Sequence, residues 1–73
     1  MDTAEYREAR RKFFEDLRYS YDRSIKYWMH FWRKSNSVQE MQEIEERMRD
    51  YGEASQYCQD AIKALKMMEE AED

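Results

Sequence analysis

The stretch SVQEMQEIEERMRDYGEASQYCQDAIKAL, residues 37–65, decides the fold. Its opening Ser37-Val38-Gln39-Glu40 has the form of a capping box. In that motif a serine oxygen accepts from the backbone N–H three residues on, and the glutamate reaches back. Behind it Met41, Ile44, Met48, Tyr51, Ser55, Cys58, Ile62 and Leu65 recur at alternating spacings of three and four. That is the period of a helical stripe packed along a second helix. Gly52 falls inside the run and costs roughly 1 kcal/mol relative to Ala. The register passes through it without a reset, so the expectation is one helix over 38–71, with Gly52 the point at which it would bend. A break at 50–52, giving three helices, is the alternative.

Upstream, nothing interrupts a helix over 3–34. Asp2 suits the N-cap, with Glu5 three residues on, and Arg33 and Lys34 oppose the negative end of the helix dipole. Ser35-Asn36-Ser37 reads as a turn, and so short a connection between long helices makes them antiparallel neighbours. The expected fold class is therefore all-α: an antiparallel two-helix hairpin over residues 1–73, one domain. Its acidic tail, 69–73, sits at a helix C-terminus where the dipole disfavours it, and is expected to fray.

Folding about Asn36 places residue i opposite residue 73−i, give or take a turn. Tyr21 then meets Tyr51 and Gly52, Trp28 and Phe31 meet Ile44 and Met41, and Phe13, Phe14 and Leu17 meet Ala54, Ser55, Cys58 and Ala61. Bulky aromatics face small residues, as interdigitating layers require. Charge agrees: residues 1–36 carry nine basic and six acidic side chains, residues 37–73 four and eleven, so the halves attract. In this pairing Arg7, Arg10, Arg11 and Lys12 fall beside Asp60, Glu69 and Glu70.

The first helix carries Tyr6, Phe13, Phe14, Leu17, Tyr21, Ser24, Ile25, Trp28, Phe31 and Trp32 on one broad apolar face, read as its core side. This arc is wider than the seam one partner helix covers. Val38, Tyr57, Met67 and Met68 flank the seam of the second helix. Small domains are marginal without a staple or a partner, and a single Cys allows no internal disulfide. The hairpin is thus expected to self-associate into a helical bundle, a homodimer being the simplest case.

Composition narrows function. With 41% charged residues, 15% aromatic residues, one Gly and no Pro, the 73-residue chain is neither a loop-rich scaffold nor a disordered one. No apolar run approaches the ~20 residues of a membrane span, and no leader-like apolar segment follows Met1, so a cytoplasmic, reducing setting is expected. No phosphate loop or nucleophile motif occurs. His30 and Cys58 lie far apart in the hairpin, and Tyr27 stands where a Glu-x-x-His motif would need Glu. Neither catalysis, a metal nor a cofactor is expected.

The leading expectation is a non-catalytic protein–protein interaction module. It would act as a small inhibitor, such as a virus- or phage-encoded antagonist of a host protein, or as an accessory subunit of a larger complex. The candidate partner-binding residues are Tyr27, Trp32, Arg33 and Lys34 at the turn end, because Trp, Tyr and Arg dominate binding hot spots. Arg10, set in the apolar face, joins them. Two alternatives stand beside this reading. One is nucleic-acid binding through Arg7, Arg10, Arg11, Lys12, Arg23 and Lys26, opposed by an acidic pI near 5.0. The other is a small anionic-ligand pocket between protomers, lined by Tyr21, Tyr27 and Trp32.

Overall fold

The computed structural model describes residues 2–72, the side chain of Glu72 excepted. Two helices account for nearly all of them: α1 over Thr3–Lys34 and α2 over Val38–Glu72. They pack side by side as a hairpin 54 Å long and 16 by 14 Å in cross-section. The expected fold is the observed one.

Each boundary has a local cause. Asp2 caps α1 in an extended conformation, its carboxylate accepting from the Ala4 N–H at 2.8 Å. The turn between the helices is tied by its serines. The Ser35 N–H donates to the Trp32 carbonyl at 3.3 Å, and the Ser37 N–H donates to Ser35 Oγ at 3.3 Å. Ser37 Oγ then accepts from the Glu40 N–H at 3.3 Å, satisfying one of the N–H groups that a helix start leaves without a partner. α2 continues through Gly52, whose φ is not positive, so neither a break nor a third helix forms. It also continues to Glu72, so all of the acidic tail but Asp73, which lies outside the described residues, is helical. Glu69 within that tail accepts from Arg11 across the hairpin at 3.0 Å.

The core is a thin line. On α2 the 4-3 stripe faces inward as its spacing requires, with Ile44, Ser55, Cys58 and Ile62 buried and Met41, Met48, Tyr51 and Leu65 half-buried. Facing it are Arg7, Phe14, Tyr21 and Trp28 of α1, one per heptad, with Arg11, Leu17, Ile25 and Trp32 between them. Tyr21 and Tyr51 bring their rings to 6.1 Å, Phe14 meets Tyr57 edge-on at 6.1 Å, and the Arg47 guanidinium lies 4.9 Å from the Trp28 ring centre. These contacts follow the expected pairing. Burying an aliphatic side chain contributes about 1.5–3 kcal/mol. Among the described residues only Ile44, Cys58 and Ile62 are buried apolar groups, and of these only Cys58 is fully buried.

The α1 face differs from its expectation in one respect. Tyr6, Phe13 and Phe31, read as core, are 57%, 47% and 40% exposed. The seam is centred one residue later, on Arg7, Phe14, Tyr21 and Trp28, and a single neighbouring helix has no second row to cover the first. Arg7, placed by the expected pairing beside acidic residues of the second half, is the most buried residue of α1 at 9%. Its long stem suits that place, since arginine buries methylenes while its guanidinium finds a polar neighbour.

Candidate functional site

At the turn end the last turns of α1 carry aromatic rings in mutual contact. Tyr27 and Phe31, four residues apart, pack edge-to-face with centroids 4.9 Å apart, and Tyr27 also meets Trp28 edge-on at 5.6 Å. His30 closes on Phe31 at 5.7 Å. Tyr27 remains 59% exposed and Phe31 40%. Lys34, one turn beyond Phe31, is exposed on the same side of α1. The result is a pre-packed aromatic pair with positive charge beside it. Rings held by neighbouring rings lose little side-chain freedom when a partner covers them.

The candidate residues separate accordingly. Tyr27 and Lys34 belong to this surface. Arg33 lies around the helix, lining an open groove with Ile25, Lys26, Met29 and His30. Trp32 turns toward α2 and is only half-exposed; its indole N–H is shielded from solvent and meets no acceptor among the described residues. Arg10 stands at the opposite end, its guanidinium 4.6 Å from the Phe13 ring centre and 5.0 Å from that of Phe14. Phe31 takes the place that the sequence reading gave to Trp32. The available signal was its i,i+4 relation to Tyr27, which puts the two on one face.

The alternative residue sets are dispersed. Of the six basic side chains considered for nucleic acid, Arg7 is buried in the seam, Arg11 is paired with Glu69, and Arg10 lies over phenylalanine rings. Lys12, Arg23 and Lys26 remain exposed, Arg23 with its guanidinium 5.8 Å from the Tyr19 ring centre. Of the proposed ligand-pocket residues, Tyr21 is committed to Tyr51 and Trp32 to the seam, leaving Tyr27. Another open groove of α1 is lined by Tyr19, Ser20, Arg23, Ser24 and Tyr27, where Ser24 Oγ donates to the Ser20 carbonyl.

Among the described residues no group of three or more His, Cys, Asp or Glu is placed to hold a metal ion. Nor is any helix long and apolar enough to cross a membrane. Comparison with protein-family models, curated proteins and solved structures gives no match. Function has to be argued from these side chains alone.

Proposed function

We propose that the chain is a non-catalytic protein-interaction module that docks on a protein partner through its turn end. The observation that supports this reading is the exposed Tyr27–Phe31 pair, already packed edge-to-face and flanked by His30 and Lys34. Aromatic anchors of this kind bury much area for little lost freedom, and a basic rim favours an acidic partner surface. Either setting, an inhibitor covering a partner's working surface or a subunit of a larger assembly, uses the same geometry.

The test is affinity capture from the native host with wild-type chain and with a Tyr27→Ala/Phe31→Ala variant, helicity being checked by circular dichroism. The proposal expects a protein retained by the wild type and lost by the variant at unchanged helicity. Equal capture by both would contradict it. Tight, steeply salt-dependent binding to duplex DNA that the tip variant leaves intact would favour the basic-face alternative instead.

A further inference from the structure

A second surface comes from a repeat that the hairpin does not use; its α1 row runs on through Ser24 to Tyr27 and Phe31 of the turn end. One residue ahead of the inner seam of α1 lie Tyr6, Arg10, Phe13 and Ser20, with Leu17 of the seam at their edge and the Arg10 guanidinium 4.6 Å from the Phe13 ring centre. One residue ahead of the inner seam of α2 lie Ala54, Tyr57, Ala61, Ala64 and Met68. One residue is a rotation of about 100° around a helix axis. Because the helices run antiparallel, equal rotations bring both displaced rows to the same side of the hairpin. The Phe13–Phe14 and Phe14–Tyr57 ring contacts, at 5.4 and 6.1 Å, mark where the rows adjoin. Tyr6, Phe13, Tyr57 and Met68 are 57%, 47%, 66% and 49% exposed. Toward the turn the α2 row becomes Asp50 and Arg47, so the patch to which both helices bring apolar side chains is confined to the open half, where Arg10 is its charged member.

We propose that this patch is covered by a second copy of the chain, packed face to face with α1 over the partner's α2 and both turns at the same end. Area is the first argument. The chain exposes 6001 Å², about 1,100 Å² more than the roughly 4,900 Å² expected of a compact monomer of its mass. A standard interface takes about 800 Å² from each partner.

Register is the second argument. The pairing that holds inside the hairpin also aligns the displaced rows between copies. Phe13 falls against Ala61 of the partner subunit, Tyr6 against Met68 of the partner subunit, Leu17 against Tyr57 of the partner subunit, and Arg10 against Ala64 of the partner subunit. Ser20 falls against Ala54 of the partner subunit, a small layer beside a bulky one, which is how bundle layers interdigitate.

Charge selects the arrangement. The α1 half carries nine basic against six acidic side chains and the α2 half four against eleven. Setting α1 over the partner's α2 joins unlike halves. Turning one copy end for end would stack acidic helix on acidic helix.

The test is sedimentation equilibrium on the full chain with three variants, plus a distance measurement. Phe13→Glu and Ala64→Lys place a charge in the proposed contact without touching the buried stripe, the lysine facing Arg10 of the partner subunit, and each is expected to weaken the dimer at least about 100-fold. Glu70→Gln makes the same change in net charge as Ala64→Lys on the opposite side of α2, and is expected to change it less than about threefold. Spin labels on Asn36→Cys, with Cys58 fully buried, should lie within about 30 Å of each other, because bundle helices pack 8–10 Å apart. A wild-type chain that stays at 9.2 kDa up to about 1 mM, the weak end of specific association, would overturn the proposal. So would a dimer indifferent to both Phe13→Glu and Ala64→Lys, or a label separation near the 54 Å length of the hairpin.

Discussion

The Ser55 hydroxyl donates to Asp22 Oδ1 at 2.8 Å, a polar bond across the helix–helix contact near the middle of the hairpin. Ser55 is buried at 3%, whereas Asp22 is half-exposed and also lies 3.7 Å from Arg18. The two ends of the bond therefore respond differently to substitution. Asp22→Ala strands a buried hydroxyl and should cost about 1–2 kcal/mol. Ser55→Ala leaves a carboxylate that water can reach and should cost less. Urea unfolding of both variants checks the order, and a larger loss for Ser55→Ala would contradict it.

Gly52 sits in the interior of α2, and beyond the helix's own local backbone and its chain neighbours nothing lies within 4 Å of the position a Cβ would take. Gly52→Ala should therefore stabilise the hairpin by about 0.5–1 kcal/mol, through the smaller conformational entropy of the unfolded chain and better helix propensity. The expected readout is a higher midpoint of urea unfolding with an unchanged slope. A lower midpoint would mean that the helix needs the freedom of glycine there.

Cys58 has no exposed surface. Its reaction with an aromatic disulfide reagent should be slow in the native protein and proceed at the rate at which the hairpin opens. Adding denaturant well below the midpoint should accelerate it in proportion to the open population. Immediate stoichiometric reaction in native buffer would place the thiol outside the seam.

Trp32 and Phe31 are adjacent in sequence and opposite in role. Trp32→Ala removes a ring turned toward α2 and should cost about 2 kcal/mol, less than a full core truncation because the ring is half-exposed. Phe31→Ala should cost less than about 1 kcal/mol and leave helicity intact. Thermal unfolding by circular dichroism separates them. The reverse order would remove Phe31 from the turn-end surface.

The helices, their boundaries and the hairpin pairing were legible because local signals agreed with the global pattern. The capping serine at Ser37, the 4-3 run from Met41 to Leu65 and the opposite charges of the halves all specify one arrangement. The phase of α1 was less legible. Tyr6, Phe13 and Phe31 continue the apolar arc, and nothing in a hydropathy pattern says which edge of a wide arc one neighbour will cover. Arg7 shows the converse, since a charged residue on a heptad position reads as an ion-pair partner of the other helix and not as part of the buried seam. The Ser55–Asp22 bond was hidden because Arg18 and Lys26, each four residues from Asp22, offer its carboxylate surface partners in the sequence, and Arg18 is the one found beside it. At the turn, Trp32 outweighed Phe31 on residue type, while the backbone phase of α1 sends Trp32 inward.

One row of each helix holds the hairpin, and in the proposed dimer the row one residue ahead holds a second copy. The test is the thermal midpoint of the wild-type chain over a hundredfold range of concentration, with Ala64→Lys alongside. Folding linked to dimerisation makes the midpoint rise with concentration for the wild type, and that rise is expected together with a flat profile for Ala64→Lys. A wild-type midpoint that does not move with concentration would contradict it, because the hairpin would then be stable alone with its aromatic face in water.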